Sequence, residues 1–156
     1  MATKRPPVKV RPAEAHDEQR WRELFNGYCM FYERKPDEAL NTYTWRRIMD
    51  PAVPVHAIVA EKQGSGVIGI ANYLIHEHTL GMTPACYLGD LFVDPKERAA
   101  GVGQQLIDWL VREMKAQRWC RLYWHTRNTN YRARGLYDKF TPHSDFVRYT
   151  VYPPSH

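Results

Sequence analysis

The sequence predicts an α/β protein, built on a mixed and mostly antiparallel sheet with helices on both faces. Short apolar runs typical of strands alternate with stretches whose apolar residues follow the 3.6-residue period of an amphipathic helix. Between residues 55 and 78, two strand patterns are separated by Gln63-Gly64-Ser65-Gly66, which predicts a hairpin turn. Interleaved helices and a central hairpin together favour a mixed sheet over an all-parallel one.

Length and composition indicate one globular domain. The chain has 156 residues, and 44% of them are hydrophobic, which exceeds what a disordered chain carries. We expect residues 1–7, which are polar and end in two prolines, to form a flexible tail. Residues 8–156 are then predicted to form a single domain.

The sequence predicts a cytoplasmic location and no membrane partner. It contains no apolar run as long as a membrane span, and its first residues lack the apolar core of a signal peptide. Its three cysteines are widely spaced, without a Cys-x-x-Cys pair. This pattern favours buried free thiols in a reducing compartment.

The net charge of +5 is compatible with a solvated basic surface or with attraction to a phosphorylated ligand. The basic residues are spread along the chain rather than clustered. Because no basic stripe or base-stacking platform is recognisable, we expect no nucleic-acid partner.

The first part of the chain predicts one strand and two helices. Val8 to Arg11 alternates as a short strand does, and the helical period that begins at Asp17 continues to Tyr32. A second helix is predicted to begin at Pro36-Asp37-Glu38 and to end before Pro51. The aromatic face of the first helix fits either core packing or the wall of a substrate cleft. An aromatic and acidic wall suits an amine, so Tyr28, Tyr32 and Glu33 are candidate acceptor-binding residues.

The remaining elements follow in alternation. A strand that we expect to be interrupted at Gly69 ends near His76 and His78, whose imidazoles share one strand face. No third ligand stands at a recognisable spacing, so no metal site is predicted. The helix after the glycine pair buries a stripe from Leu106 to Met114. The other predicted elements are strands 55–61, 67–78, 85–93 and 121–126, a short helix over 133–140, and a last strand from Phe146 to Tyr152 that closes the sheet.

A glycine-containing loop, Arg98-Ala99-Ala100-Gly101-Val102-Gly103, lies between a strand and a helix. The first N–H groups of a helix have no intrahelical partner, and glycines leave room for an anion to approach them. The loop lacks the Gly-Lys-Ser/Thr ending of a Walker A motif. Position 106 is Leu, so it is not a dinucleotide fingerprint either. The pattern predicts a phosphate-binding loop of another kind.

Four ordered features resemble the GNAT superfamily of N-acetyltransferases over nearly the whole chain. Their detail is similar to the branch that contains histone-and-polyamine and diamine acetyltransferases. The features are the strand Tyr87-Leu88-Gly89-Asp90-Leu91-Phe92-Val93, the Arg-x-x-Gly-x-Gly loop, the strand Leu122-Tyr123-Trp124-His125-Thr126, and the helix Asn130-Tyr131-Arg132-Ala133-Arg134-Gly135-Leu136-Tyr137-Asp138-Lys139.

The resemblance implies that two strands splay apart and hold acetyl-CoA between them. Main-chain groups of Leu91, Phe92 and Val93 would then pair with the pantetheine arm. Asn130 and Tyr137 would also contact the cofactor. The diphosphate would be held by the run Arg98, Ala99, Ala100, Gly101, Val102, Gly103 and Gln104.

The resemblance further implies an enzyme that transfers acetyl to a primary amine by direct attack in a ternary complex. Tyr137 matches the family's general acid; a helix-packing tyrosine is the alternative. In diamine acetyltransferases a glutamate stands where this chain has Gly89. Asp90 is the candidate base, although neighbouring strand residues point to opposite faces unless a bulge intervenes. His125, Glu33 or a water chain stay open as alternatives.

The acceptor is left open among a polyamine, an amino acid, another small amine and a lysine side chain. His125 joins the candidate acceptor-binding residues. A non-catalytic module that binds acyl-CoA is the alternative to an enzyme. Many relatives form homodimers, and the sequence is compatible with a homodimer.

Overall fold

The computed structural model describes residues 6–154, except for the side chains of Ala99 and Ala100. Most of the predicted tail, residues 1–5, lies outside the described residues. The chain divides into two compact units, with the boundary between His125 and Thr126. The first unit contains β1 (Val8–Pro12), a 3₁₀ turn (Ala15–Asp17), α1 (Glu18–Phe31), α2 (Glu38–Met49), β2 (Val55–Lys62), β3 (Gly66–His76), β4 (Ala85–Val93), a second 3₁₀ segment (Pro95–Ala100), α3 (Val102–Gln117) and β5 (Arg121–Tyr123).

The sheet is mixed and mostly antiparallel, as predicted. Its strands lie in the order β1-β2-β3-β4-β5. The first three pairs are antiparallel, and β4 and β5 are parallel. A parallel pair needs a crossover connection, which α3 supplies.

Helices cover both faces of the sheet, because adjacent strand residues point in opposite directions. Trp21 and Phe25 of α1 and Trp45 of α2 form one core with Ile70 of β3. The neighbouring Gly69 faces α3, where a Cβ atom would lie 3.1 Å from Val102 Cγ1 and 3.3 Å from Leu106 Cδ1. Gly69 therefore allows α3 to pack closely against the sheet. It does not interrupt β3, contrary to the prediction. The irregularity in β3 is at Ile68, which has no partner in β2.

The start of α2 follows from its sequence. The Asp37 carboxylate accepts hydrogen bonds from the N–H groups of Ala39 (2.9 Å) and Leu40 (3.1 Å). Such a side chain replaces the partners that the first turn of a helix lacks. The helix ends at Met49, before Pro51, as expected.

A buried ion pair joins β1 to the start of α1. Arg11 contacts both carboxylate oxygens of Asp17, at 2.7 and 3.0 Å, and donates to Glu61 at 3.0 Å. Burial alone would raise the pKa of Asp17, but hydrogen bonds from Arg11 and from the Glu14 N–H lower it on balance. The pair stabilises the folded state as long as Asp17 is ionised.

Two predicted strands differ from the structure. β5 contains three residues instead of the six from Arg121 to Thr126, and its pairing ends where Tyr123 meets Tyr87. The predicted last strand, Phe146 to Tyr152, is not a strand, so that prediction was wrong. The composition of both segments favours strands, but a strand also needs a neighbouring strand with which to exchange backbone hydrogen bonds.

The second unit contains α4 (Tyr131–Tyr137). The predicted helix over 133–140 begins two residues earlier and ends three residues earlier. Phe140 continues the chain in a turn, its N–H donating to the Tyr137 carbonyl at 2.9 Å.

Among the described residues, no helix has both the length and the apolar character needed to cross a membrane. Cys29 and Cys86 are buried free thiols, as expected, and burial raises the pKa of Cys86 to about 12. Cys120 is free but exposed, which the prediction of buried thiols missed.

Candidate active site

Strand β4 contains one extra residue, Gly89. Asn72 of β3 pairs with Asp90, and the adjacent Tyr73 pairs with Leu88, so Gly89 has no partner in β3. Such a bulge shifts the alternation of side chains by one residue. Asp90 therefore lies with Asn72 on the α1 face of the sheet, whereas an unbroken strand would turn it towards α3.

The Asp90 carboxylate is held by neutral hydrogen-bond donors. Asn72 Nδ2 donates to Asp90 Oδ2 at 3.0 Å, and Trp21 Nε1 donates to Asn72 Oδ1 at 2.9 Å. Burial raises the pKa of Asp90 above its ordinary value, while the bonds from Asn72 and Tyr28 and the charge of Arg34 oppose that rise. A carboxyl with a raised pKa can accept a proton nearer to neutral pH.

Tyr28 links helix α1 to the bulge. Its hydroxyl lies 3.3 Å from the Gly89 carbonyl oxygen and also forms a hydrogen bond with Asp90. Burial, followed by the charge of Asp90, raises the pKa of Tyr28 well above that of a free phenol. Tyr28 is thus a neutral donor beside the carboxylate.

The end of α1 forms an aromatic and charged wall. The ring centroid of Tyr32 lies 4.9 Å from that of Tyr28 and 5.1 Å from that of Phe31. Glu33 has a left-handed backbone with φ 58°, and the next N–H, of Arg34, donates to the Cys29 carbonyl at 2.8 Å. This is the helix ending in which glycine is usual, so a glutamate there is mildly strained.

Strands β4 and β5 diverge after three residue pairs. Pairing covers Ala85 to Tyr87 of β4, and no described strand pairs with the same edge of β4 from Leu88 to Val93. Leu91, Phe92 and Val93 therefore lie along a stretch of β4 whose β5-side edge has no strand partner among the described residues. His125 follows β5, with Nδ1 3.3 Å from the Tyr87 hydroxyl.

The loop after β4 leads into α3, whose N-terminus has no side-chain cap. Gly101 has a left-handed φ of 70° and a Cβ atom there would meet nothing within 4 Å. No side chain caps α3, and its first turn contains no acid. The N–H of Gln105 donates to the Gly101 carbonyl at 3.2 Å, so the preceding N–H groups of Val102, Gly103 and Gln104 have no carbonyl one turn back within the helix.

Two arginines fix this loop against the sheet and α1. Arg20 of α1 donates to Asp94 at 2.6 Å and to the Val67 carbonyl at 2.9 Å. Asp94 in turn accepts from the Lys96 N–H at 3.0 Å, which lowers the pKa of its carboxyl. The Arg98 guanidinium carbon lies 5.5 Å from the centre of the Phe92 ring.

Comparison with known proteins identifies the family. The sequence pattern of the Acetyltransferase (GNAT) family matches residues 18–141. The chain belongs to this family. It is 31% identical over 143 residues to the D-amino-acid N-acetyltransferase HPA3 of Saccharomyces cerevisiae, covering 91% of this chain and 89% of that protein.

Solved GNAT structures share the fold. The ribosomal-protein-alanine N-acetyltransferase from Brucella melitensis biovar Abortus 2308 superposes with a TM-score of 0.79 at 18% identity, covering 94% of this chain and 99% of its own. AAC(6')-Iy, solved with the bisubstrate analogue CoA-S-monomethyl-acetylneamine, has a TM-score of 0.78 at 19% identity and covers 96% of this chain and 99% of its own.

The protein is therefore a GNAT N-acetyltransferase that acts on amines. GNAT enzymes use acetyl-CoA. The loop residues fit the diphosphate of this substrate, because uncapped N–H groups and open space at Gly101 coincide in a turn without acids.

The structure brings several predicted GNAT site residues together in the first unit. Tyr28 hydrogen-bonds Asp90, and the phenols of Tyr32 and Tyr87 are close enough to raise the pKa of Tyr28 further. His125 joins this group through Tyr87. Glu33 continues the same wall at the end of α1.

Asn130 and Tyr137 lie in the second unit. Asn130 immediately precedes α4, and its Nδ2 donates to Thr126 Oγ1 at 3.0 Å. Tyr137 is the last residue of α4 and is partly buried.

Sequence reasoning missed Asn72, Arg20 and Arg34. Asn72 gave a usable signal, because it is the polar residue inside the apolar run from Val67 to Ile75 and a buried amide needs partners. The neighbours of Arg20 and Arg34 become visible only in three dimensions. His76, considered for metal, instead places Nε2 2.7 Å from the Tyr123 hydroxyl and Nδ1 2.7 Å from the Glu77 carbonyl.

Proposed function

We propose that this enzyme transfers acetyl from acetyl-CoA to the primary amine of an amino acid, by direct attack in a ternary complex. The observation that carries the proposal is that two features lie at β4, one within the strand and one just beyond its end. Inside β4 the half-buried carboxyl of Asp90, whose pKa is raised, faces α1, and beyond the end of β4 an uncapped helix offers N–H groups to phosphate.

In this proposal acetyl-CoA lies along the free edge of β4. Main-chain groups of Leu91, Phe92 and Val93 pair with its pantetheine arm as an added strand would. The main-chain N–H groups of residues 98–104 hold the diphosphate, and the Arg98 guanidinium adds a positive charge. These residues are Arg98, Ala99, Ala100, Gly101, Val102, Gly103 and Gln104. Asn130 contacts the arm of the cofactor.

Asp90 is the proposed general base. A primary amine with a pKa of about 10.4 arrives as an ammonium ion and must lose a proton before it can attack. Asp90 takes that proton, directly or through water, and later releases it to solvent. Because its pKa is raised, Asp90 is a stronger base than an ordinary carboxylate, and its pKa is closer to that of the ammonium ion.

Tyr137 is the proposed general acid. The attack forms a C–N bond and breaks the C–S bond. The nitrogen must lose its second proton to become an amide, and the sulfur leaves as a thiolate that needs a proton. A phenol with a pKa of about 10 is protonated at neutral pH and can supply it. The second proton of the nitrogen restores the Tyr137 hydroxyl. The net reaction therefore yields the amide, free coenzyme A and the one proton that Asp90 releases to solvent.

The amino-acid acceptor is supported by the name of the yeast relative and by the charges near Asp90. The relative is a D-amino-acid N-acetyltransferase. An amino acid carries an ammonium and a carboxylate group. The site offers an opposite charge for each, because Arg34 is close enough to Asp90 for its positive charge to lower the pKa of that carboxyl. Tyr28, Tyr32, Glu33 and His125 form the proposed walls of the acceptor site.

A panel of acceptors tests the proposal. Thiol release from acetyl-CoA is measured with D- and L-amino acids, the matching amino-acid amides, and spermidine. We expect release with amino acids and at least tenfold lower kcat/KM with the amides. Equal rates with the amides or a preference for spermidine would contradict the acceptor. Binding of acetyl-CoA without thiol release from any amine would favour the non-catalytic module instead.

Replacement of Tyr137→Phe tests the acid. We expect kcat to fall about 100-fold or more, the range for loss of a general acid, while the Kd for acetyl-CoA stays within about twofold. Tyr131→Phe on the same helix is the matched control and should keep full activity. Wild-type turnover in the Tyr137 variant would disprove the assignment.

We also propose that residues 8–156 act as one domain, that the protein is cytoplasmic, and that it works as a homodimer without nucleic acid or metal. Fractionation of cells tests the location. Salt-dependent retention on DNA or RNA would contradict the proposal that nucleic acid is not a partner.

A further inference from the structure

The segment that leads into α3 contains one acid. Between Pro95 and Gln104 that residue is Glu97, and it directly precedes Arg98, the first residue of the loop proposed to hold the diphosphate. A free carboxylate beside this loop would repel the diphosphate and compete with it for the N–H groups at the start of α3. Binding of a diphosphate there requires that the charge of Glu97 be neutralised or turned away.

Lys62, the last residue of β2, holds this carboxylate. Its Nζ donates to Glu97 Oε1 at 3.0 Å and to Oε2 at 2.8 Å, across 35 positions of the sequence. Both side chains are largely buried, with exposed fractions of 21% for Lys62 and 22% for Glu97. Salt screens such a pair less than one that is fully exposed. Lys62 thus neutralises Glu97 and fixes the direction of its carboxylate.

The sheet brings Lys62 to this position. Lys62 ends β2 in the hairpin that leads into β3, and Gly69 of β3 pairs with Val93, the last residue of β4. The Asp94 N–H also donates to the Ile68 carbonyl at 2.8 Å. The end of the hairpin and the start of the loop therefore lie side by side.

The neighbouring acid, Asp94, has a different role. It accepts hydrogen bonds from the Lys96 N–H at 3.0 Å and from Arg20 at 2.6 Å, so it shapes the turn as well as pairing with a cation. In the described part of the chain, the Glu97 carboxylate has no hydrogen-bond partner other than Lys62. Glu97 therefore caps no main-chain group of the loop, and its side chain is held by the ion pair alone.

We propose that Lys62 is a positioning residue for acetyl-CoA. It directs the Glu97 carboxylate towards β2 and neutralises its charge, so that the diphosphate meets N–H groups without a competing acid. The inference rests on the proposed diphosphate site of residues 98–104 and goes beyond it, because Lys62 belongs to β2 and acts through Glu97 rather than by touching the ligand.

Affinity for coenzyme A, measured by isothermal calorimetry, tests Lys62→Met. We expect the Kd to rise about threefold to tenfold, the scale of one uncompensated charge near the ligand, while kcat at saturating acetyl-CoA stays within about twofold. Lys62→Arg keeps the charge and should keep the affinity. Lys9→Met removes the same charge from an exposed lysine of β1, opposite Glu61, and should leave the Kd unchanged. An unchanged Kd in Lys62→Met would overturn the proposal.

The combined variant Lys62→Met with Glu97→Gln separates this role from a contribution to stability. It lacks the ion pair just as the single variant does, but it no longer carries the acid. Its Kd should therefore return to within about twofold of the wild type, a non-additive result that identifies direct coupling of the two residues. A combined variant that binds as weakly as Lys62→Met would overturn the proposal.

Gly103→Glu, measured alongside, shows which proposal fails. If it weakens binding of coenzyme A and Lys62→Met does not, the loop holds the diphosphate and the role of Lys62 is wrong. A wild type that does not bind coenzyme A would overturn both proposals.

Discussion

The two halves of the candidate site, both organised by β4, are built from different parts of the chain. Beyond the end of the strand, the loop and the first turn of α3 offer main-chain N–H groups, with little help from side chains. Within the strand, Asp90 is positioned by a bulge and by side chains from β3 and α1. The first half depends on local backbone conformation, and the second depends on tertiary packing. Substitutions should therefore affect substrate binding and proton transfer separately.

The largest effect is expected for Asp90→Asn. Loss of a general base should lower kcat about 10²–10⁴-fold, while the Kd for acetyl-CoA is unchanged. Because burial raises the pKa of Asp90, its ionised form opposes folding at neutral pH. The variant should then be as stable as the wild type or more so in urea unfolding. Asp50→Asn, at an exposed carboxylate, should change neither quantity. A destabilised but active Asp90 variant would show that the carboxyl is structural.

Gly103→Glu should affect the other half of the site. A carboxylate placed beside the diphosphate should raise the Kd for coenzyme A about 100-fold, because it repels the ligand and fills the space above the N–H groups. Gln105→Glu adds the same charge one turn into the helix and should have a much smaller effect. Isothermal calorimetry with coenzyme A measures both. Unchanged affinity in the Gly103 variant would mean that the loop does not hold phosphate.

A smaller and more specific effect is expected for Asn72→Leu. The hydrogen bond from Asn72 lowers the pKa of Asp90, so its loss should raise that pKa and move the acid limb of kcat/KM to higher pH. Stability should also fall by about 1–3 kcal/mol, since the Trp21 N–H loses its acceptor.

Trp21→Phe is the control for this shift. It removes the indole donor and part of the buried ring but leaves the Asn72 donor to Asp90 in place, so stability should fall while the acid limb stays where it is. Equal pH profiles for the two variants would show that Asn72 does not tune Asp90.

The smallest effect on the reaction is expected for Asp17→Asn, which is remote from both halves. The pKa of Asp17 is lowered by folding, so its contribution is complete above the ordinary carboxyl pKa of about 3.9 and is lost as the pH falls through the lower folded value. At neutral pH the variant should lose about 2–3 kcal/mol, the scale of a hydrogen bond to a charged group, without a change in kcat. Glu23→Gln, in an exposed pair with Arg20, should cost at most about 1 kcal/mol.

The contrast also explains what the sequence could predict. The shape of the loop before α3 was predictable, because Gly101 and Gly103 after a strand encode a local backbone conformation. The face of the sheet on which Asp90 lies was not predictable, since the bulge at Gly89 depends on the register between β3 and β4. The network from Trp21 through Asn72 joins residues 51 positions apart, and no local pattern encodes it.

Gly27 sets the clearance between α1 and the free edge of β4. A methyl group at this position would come within 2.7 Å of the Phe92 ring. Phe92 belongs to the strand proposed to guide the pantetheine arm, and α1 carries the aromatic wall proposed for the acceptor. In the proposed arrangement, a single missing carbon atom at Gly27 thus sets the distance between the two reactants, and redesign of α1 to widen the acceptor range has to preserve that gap.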